Sequence, residues 1–177
     1  EKVILYAGRV VKYKGCQYII RAMPDIISKY PTAKLVVVGP DQGYLRELKE
    51  LARDMGVMEN CAFKGRVESV SDYYNIADAF VLPSRGEGFG LSAVEAMSYG
   101  VPAVLADMGG LKHVLKDIDG YPIDMDKNIE NQIKQHILTI FSDQKIKDKM
   151  RSVIDKTKEY RWDRIAQKHL EIFSQVL

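Results

Sequence analysis

The sequence has little of the residue types that place a small protein in a specialised class. Its two cysteines, Cys16 and Cys61, are far apart and lack the CxxC spacing of a zinc or redox site. The 26 basic and 24 acidic side chains leave a net charge of only +2, which argues against a polybasic nucleic-acid surface or an acidic tail. No apolar run approaches the roughly 20 residues of a membrane-spanning helix. Any anion site must therefore be local, and the cysteines are interpreted as small buried hydrophobic residues.

The length sets the expected domain organisation. A chain of 177 residues can form one domain with a full core but is too short for two large ones. It enters an apolar run at once, as "EKVILYAGRV", and shows no signal-peptide pattern. We therefore expect a single domain, residues 1–177, taken from a longer protein. The free cysteines fit a reducing compartment, so we expect a cytoplasmic location.

Short apolar runs alternate with helical patterns along most of the sequence. Several runs are apolar at nearly every position, as strands buried on both faces must be. The predicted strands are VILYAG, KLVVVG, CAFKG, AFVLPS and VPAVLA. Helical patterns lie near residues 15–30, 44–55, 70–77, 90–99 and 109–115, and three amphipathic helices follow from about residue 128. This alternation predicts an α/β fold, a doubly wound parallel sheet with C-terminal helices.

The turn after the first predicted strand is a candidate anion site, since doubly wound folds bind ligands beyond the carboxyl ends of their strands. That strand ends in Gly8 and Arg9, and Lys14 and Gly15 follow where a helix is expected. A glycine turn that opens a helix offers free amides and the positive end of the helix dipole. Arg9 can bind two phosphate oxygens through its planar guanidinium, and Lys14 can act as a point charge. The alternative is a pair of solvated surface cations.

The next two strand ends offer backbone contacts. In "VGPDQG", Gly39, Pro40 and Gly43 predict a tight turn whose backbone can meet a ligand. In "KGRVESV", the backbone at Arg66 and Val67 can meet the flat edge of a base. Neither pattern is specific without the rest of the site.

The stretch "SRGEGFGLSAVEAMSYGVP" places acids on both sides of a predicted helix N-terminus. That terminus would aim several amides into the cleft, from Gly88, Phe89, Gly90 and Leu91. Ser92 adds a hydroxyl, Glu87 lies just outside the helix, and Glu95 lies roughly 7.5 Å along it from Gly90. Two acids flanking an anion site fit a ligand that has hydroxyls, phosphates and then hydroxyls, as a nucleotide sugar does. A purely structural alternative is that both are acids favoured near a helix start.

A dinucleotide fingerprint is a second alternative for the same stretch. Gly86, Gly88 and Gly90 give G-x-G-x-G, but Leu91 stands where the third glycine of G-x-G-x-x-G is needed. Asp107 ends the next strand at about the distance expected of a ribose-binding carboxylate. The fingerprint belongs after the first strand, however, and here it follows the fourth.

The histidines do not indicate a metal site. His113 follows the Gly109-Gly110 loop, which is expected at the mouth of the cleft, and we interpret it as a surface or capping residue. His136 and His169 fall in the amphipathic C-terminal helices and are interpreted as structural. No cluster has metal-ligand spacing, so we predict no tightly bound metal.

Four segments together resemble the group 1 (family 4-like) glycosyltransferases, a large retaining family with the GT-B fold. They are YAGRVVKYKG, VVVGPDQGYLREL, ADAFVLPSRGEGFGLSAVEAMSYGVPAVLADMGG and YRWDRIAQKHLEIF. The resemblance covers nearly the whole chain, and the two acids eight positions apart are specific when Gly-Arg and Lys-Gly precede them. It implies one Rossmann-like half of a GT-B enzyme, the C-terminal donor-binding half. The acceptor half is expected in an N-terminal domain that this chain does not contain.

The resemblance also implies roles for individual residues. Arg9 and Lys14 would contact the donor diphosphate, Glu87 the hydroxyls of the transferred sugar, and Glu95 the ribose. Together with the strand-end residues, this gives Arg9, Lys14 and Glu87 as the predicted catalytic residues. The predicted donor-binding set is Gly8, Gly39, Arg66, Val67, Gly88, Phe89, Gly90, Leu91, Ser92 and Glu95. The implied reaction transfers a hexose from a nucleotide diphosphate sugar with retained configuration, with no cofactor and no obligatory metal. Arg9 and Lys14 would neutralise the leaving diphosphate in the metal's place.

Some positions depart from the family pattern. The family usually has Glu where His113 stands and commonly Pro where Lys112 stands, and its GxxGxLV segment is replaced by IDGYPIDM. The donor stays open between GDP-mannose and a UDP-hexose. The implied acceptor is a saccharide or lipid-linked saccharide, with no nucleic acid as partner and with association of the full-length enzyme with a membrane surface left open. The fragment alone is expected to be inactive, and the alternatives are a non-catalytic nucleotide-sugar-binding module or a dinucleotide-dependent oxidoreductase.

Overall fold

The structure, a computed structural model, describes residues 1–176, and within them the chain forms one parallel sheet covered by helices. The strands are β1 (Val3–Ala7), β2 (Lys34–Val38), β3 (Cys61–Gly65), β4 (Ala79–Leu82), β5 (Ala103–Ala106) and β6 (Tyr121–Ile123). The α-helices are α1 (Cys16–Lys29), α2 (Leu45–Asp54), α3 (Ser71–Ile76), α4 (Leu91–Ser98), α5 (Leu111–Ile118), α6 (Ile129–Ser142), α7 (Ile146–Thr157) and α8 (Trp162–Val176). Their order confirms the predicted α/β class.

The sheet order is β3-β2-β1-β4-β5-β6, with every neighbouring pair parallel. Such a sheet is wound outward in both directions from β1, so its chain reversal lies between β1 and β4. The strands β4 and β5 are buried at every position, which explains why their sequences are apolar throughout. The doubly wound prediction is therefore confirmed, and it places any ligand cleft beyond the ends of β1 and β4.

The strand β6 corrects the expectation of only five strands. It pairs with β5 at the edge of the sheet through three residues, one of which is Pro122. A proline removes a backbone donor and is tolerated at a sheet edge, where that donor has no partner strand. A three-residue segment with a central proline reads as a loop in sequence, which is why it was missed.

The three predicted amphipathic helices after residue 128 are present and differ in burial. The helix α6 begins at the cap Asn128, whose side chain accepts from the Asn131 amide at 3.0 Å, and packs against α1. The helix α7 packs against α4 and α5 and buries Met150 and Val153. The described side chains of α8 are exposed or half-buried, with Trp162 76% exposed. Within residues 1–176, the helices are all too short or too polar to cross a membrane.

Both cysteines behave as apolar side chains. Cys16 is fully buried at the start of α1, and Cys61 is half-buried in β3. Burial raises the pKa of the Cys16 thiol far above its usual range and that of Cys61 to about 12. Both thiols therefore stay protonated at neutral pH, as their interpretation as small hydrophobic residues requires.

Candidate functional site

Two adjoining pockets lie at the carboxyl edge of the sheet. Pocket A has a volume of about 310 Å³ and opens beside the ends of β1, β2 and β3. Pocket B has a volume of about 490 Å³ and opens between β1, β4 and the start of α4. The two share Ala7, Gly8, Arg9 and Ser92, so they form one continuous cleft. This is the position that the sheet topology predicts for a ligand.

The cleft gathers the residues singled out from the sequence. Gly39, Arg66, Val67 and Glu95 line pocket A, and pocket B is lined by Lys14, Glu87, Phe89, Gly90 and Leu91. Arg9 and Ser92 belong to the shared wall, so the two acids lie on opposite sides of it. The order of acid, cation and acid along the cleft is thus the order that the sequence predicts. Within the set of donor-contacting residues that the family resemblance implies, Gly88 alone lines neither pocket.

The turn after β1 differs from its prediction. The Gly8 amide donates to the Val38 carbonyl at 2.9 Å, so it is not free for an anion. A 3-10 turn, Lys12–Lys14, comes before the helix α1, which begins only at Cys16. The predicted helix start at Lys14 and Gly15 is confirmed, because Gly15 is the N-cap of α1, and only the free amide expected at Gly8 is missing.

The guanidinium of Arg9 is held over the cleft by neutral groups. It donates to the Tyr13 hydroxyl at 2.7 Å and to the side-chain oxygen of Gln42 at 3.2 Å. Among the described residues, Arg9 forms no ion pair with a carboxylate. Its charge is therefore oriented but not neutralised, as an anion-binding arginine requires.

Lys14 and Glu87 are paired with each other. The Lys14 ammonium lies 2.5 Å from a Glu87 carboxylate oxygen, and the side chains are 8% and 20% exposed. A buried charge is costly without a partner, so each stabilises the other in this state. The sequence did not predict this pairing, which lies across 73 positions of the chain. A ligand anion that reaches Lys14 must share or replace Glu87.

The N-terminus of α4 presents unpaired amides to pocket B. Gly90 caps the helix with φ +92°, a left-handed conformation that favours glycine, and its carbonyl accepts from the amides of Ala93 and Val94. Within residues 1–176, the amides of residues 88–92 donate to no backbone or side-chain acceptor. Free amides at the positive end of a helix dipole form an anion site. The predicted role of this segment thus has the geometry it needs.

The Gly109-Gly110 loop supports the site from behind. The Gly110 amide donates to the Glu87 carbonyl at 2.9 Å, and a Cβ at Gly110 would lie 2.0 Å from the Gly88 carbonyl oxygen. The backbone of Gly88 is therefore packed against this loop, which explains its absence from the pocket walls. The loop was expected at the mouth of the cleft, but its glycines line neither pocket, and His113 is exposed on α5 outside both.

Pocket A is mainly apolar, with a rigid floor. Val67 and Val70 form part of its wall, and the exposed Arg66 lies at its edge. Gly39 has φ +138°, and a Cβ there would lie 1.9 Å from the Gly8 carbonyl oxygen. Only glycine allows the ends of β1 and β2 to approach this closely. The result is a shallow apolar slot that suits a flat ring.

Two tyrosines of the site were missed in the sequence. The Tyr74 hydroxyl donates to Glu95 at 2.9 Å in pocket A. The Tyr160 ring packs 5.3 Å from the ring of Phe89, and its hydroxyl donates to Asp117 at 2.7 Å. Burial and the Asp117 hydrogen bond raise the pKa of Tyr160 to about 12. These contacts join distant segments, so no local spacing in the sequence could have indicated them.

The dinucleotide alternative gains no support from this geometry. The Gly86, Gly88 and Gly90 turn follows β4, and Asp107 lines neither pocket A nor pocket B. The carboxylate that lines pocket A is instead that of Glu95, on α4. Among residues 1–176, no three His, Cys, Asp or Glu side chains are grouped so that they could hold a metal ion.

Comparison with known proteins agrees with this geometry. An uncharacterized glycosyltransferase of Methanocaldococcus jannaschii is 35% identical over 182 residues, covering 98% of this chain and 45% of that protein. The C-terminal domain of a glycosyl transferase group 1 family protein from Francisella tularensis superposes with TM-score 0.79 at 27% identity, over 91% of this chain and 87% of that one. Anabaena HepE, solved with UDP and glucose, has the same fold, with TM-score 0.84 and 24% identity over 97% of this chain and 48% of that one.

The match to a family is extensive. The chain spans less than half the length of the curated relatives it matches. Its match covers 30–45% of the length of three of them. The sequence model of the family "Glycosyl transferases group 1" matches residues 1–159, from β1 to the turn that carries Tyr160. This chain therefore belongs to the group 1 glycosyl transferases.

Proposed function

We propose that this chain is the donor-binding part of a retaining hexosyltransferase that uses a nucleotide diphosphate sugar, GDP-mannose or a UDP-hexose. One observation carries the proposal: a single cleft has free α4 amides and the unneutralised Arg9 at its centre, with an acid at each end. A ligand with a central diphosphate and hydroxyl groups on both sides matches that arrangement. That Anabaena HepE was solved with UDP and glucose supports this donor class.

In the proposed complex the nucleoside occupies pocket A. The base lies in the apolar slot beside Val67, where the backbone at Arg66 and Val67 can meet its edge. Glu95 accepts hydrogen bonds from the ribose hydroxyls, because an ionised carboxylate offers acceptors only. The diphosphate then passes along the shared wall at Arg9 and Ser92.

The sugar end of the donor occupies pocket B. The amides of Phe89, Gly90 and Leu91 surround the sugar-linked phosphate, and Glu87 accepts from the sugar hydroxyls. Lys14 turns from Glu87 towards the phosphate when the donor binds. As the glycosidic bond to the diphosphate breaks, negative charge develops on the leaving group. Arg9, Lys14 and the α4 dipole stabilise that charge, and this role requires no metal ion.

Transfer itself needs an acceptor site beside pocket B. We propose that another part of the full-length enzyme binds the acceptor, a saccharide or lipid-linked saccharide, and covers pocket B. Closure over the reacting sugar would exclude water and orient the two substrates. Peripheral attachment of the full-length enzyme to a membrane belongs to this proposal only if the acceptor is lipid-linked.

The proposal is tested by calorimetric titration of the chain with UDP, GDP, ADP and NAD. We expect one nucleoside diphosphate to bind and NAD not to bind. Arg9→Ala should weaken that binding at least tenfold, since a hydrogen bond to a charged group contributes roughly 1.5–3 kcal/mol. Arg53→Ala, an exposed arginine of α2 outside both pockets, is the matched control and should change nothing. Tight NAD binding, or equal affinities of the Arg9→Ala variant and the parent, would contradict the proposal.

A further inference from the structure

Tyr74 is a buried phenol whose hydroxyl faces the candidate ligand cleft. The residue is 3% exposed in α3, and its ring packs against Phe80 and Tyr99 with centroids 6.4 and 5.4 Å away. It lines pocket A together with Glu95. A tyrosine whose ring only filled the core would not need its hydroxyl, so the position of that oxygen needs an explanation.

The hydroxyl has one acceptor, and it is Glu95. It donates to the Oε2 atom at 2.9 Å, across 21 positions of the chain. Glu95 itself is exposed on α4, where a free side chain samples several rotamers. The hydrogen bond to a rigid, packed ring selects one of them. It also occupies a single acceptor site of the carboxylate and leaves the remaining ones to a ligand.

The protonation state of the pair favours this arrangement. Burial, and next the negative charge of Glu95, raise the pKa of the Tyr74 hydroxyl far above its usual value. The phenol is therefore a hydrogen-bond donor throughout the physiological range. Since the donor is neutral, this hydrogen bond does not pair the carboxylate with a positive charge.

We propose that Tyr74 is a positioning residue that sets the selectivity of pocket A for ribonucleotides, by holding Glu95 in the orientation that accepts from the ribose hydroxyls. This inference rests on the proposed function, because it takes a nucleotide as the ligand of pocket A. The aromatic contacts fix the ring, the ring fixes Oε2, and the other carboxylate oxygen is thereby presented to the diol. Without the phenol, Glu95 would still be present but would be oriented only part of the time.

The test compares a ribonucleoside diphosphate with its 2′,3′-dideoxy analogue by calorimetric titration of the 177-residue chain. The nucleotide is whichever of UDP, GDP and ADP binds most tightly. In Tyr74→Phe we expect the preference for the ribonucleotide to fall about fivefold, the size of one ordinary hydrogen bond, while dideoxy affinity stays constant. Tyr73→Phe is the matched control, since Tyr73 is the preceding residue of the same helix and lines neither pocket.

A double-mutant cycle separates positioning from general stability. Glu95→Ala should remove the preference, and adding Tyr74→Phe to it should then change nothing further. The inference would be overturned if Tyr74→Phe weakened the binding of both nucleotides equally. It would also be overturned if the double variant bound the ribonucleotide more weakly than Glu95→Ala alone. A parent that binds diphosphates but does not prefer the ribonucleotide would overturn it and leave the proposed function standing. A parent that binds none of the three nucleotides would overturn both.

Discussion

The two acids of the cleft are held in opposite ways. Glu95, in pocket A, accepts a hydrogen bond from a neutral phenol, whereas Glu87, in pocket B, is paired with the ammonium of Lys14. The first arrangement orients the carboxylate and leaves its charge intact. The second neutralises the carboxylate together with the cation that would bind a phosphate. In the proposed complex, pocket A is thus ready for the nucleoside, and pocket B must first rearrange.

The largest expected effect comes from removing the cation. Lys14→Ala removes the salt-bridge partner of the Glu87 carboxylate, which is 20% exposed and lies beside the proposed phosphate site. Loss of attraction and added repulsion should together weaken nucleoside diphosphate binding more than tenfold while nucleoside binding is unchanged. Calorimetric titration with both ligands measures this difference. Lys12→Ala, an exposed lysine on the same turn, is the control, and equal losses for both ligands would show that Lys14 does not meet the phosphates.

A smaller change of opposite sign should follow from removing the acid. Glu87→Gln keeps the shape of the side chain but removes the negative charge that holds Lys14, so affinity for a bare nucleoside diphosphate should rise about fivefold. The free energy of unfolding should fall by about 1 kcal/mol, because Lys14 keeps a weaker neutral acceptor. Saturating nucleotide should restore the lost stability. Thermal unfolding with and without the nucleotide measures both effects.

The control for that variant is Glu47→Gln, an exposed acid in the first turn of α2. It should leave affinity and melting temperature unchanged. A Glu87→Gln variant that binds the bare diphosphate more weakly would contradict the view that the ion pair competes with the ligand.

The smallest effect concerns the tyrosine behind pocket B. The pKa of Tyr160 is raised to about 12 by burial and by Asp117, against an unfolded value near 10. A raised pKa contributes stability that is complete below pH 10 and is lost as the pH rises towards 12. Tyr160→Phe should therefore lose less stability than the parent between pH 9 and pH 11. Urea unfolding of the parent and the variant at pH 9 and pH 11 measures these losses. A stability difference between the two proteins that did not change with pH would contradict the prediction.

The fold could be predicted from the sequence because its signals are local. The strands β1, β2, β4 and β5 are apolar on both faces, and each is followed by a turn and a helix start. The strand β6 could not be predicted, since its three residues, centred on Pro122, are too few to show the alternating pattern of a strand. Pairing with β5 at the sheet edge, not the sequence pattern, makes them a strand.

The members of the site could be predicted for the same reason, but their partners could not. Arg9, Glu87 and Glu95 stand at fixed places after strands or within a helix, where the topology brings them together. The pairing of Glu87 with Lys14 and of Glu95 with Tyr74 depends on side-chain packing between segments far apart in sequence. Those pairings determine the local charge and the orientation of the two carboxylates, so the identities of the site residues alone describe the site incompletely.

The contact between Gly8 and Gly39 has a kinetic consequence. The amide of Gly8 donates to the Val38 carbonyl of β2, that of Gly39 donates to the Gly65 carbonyl, and a Cβ at Gly39 would lie 1.9 Å from the Gly8 carbonyl oxygen. Three strand ends are thus fastened together before any ligand arrives, so a nucleoside can dock with little loss of conformational entropy. Association of the nucleoside with pocket A should approach the rate expected of a preformed site. The slower step should be the separation of Lys14 from Glu87 in pocket B.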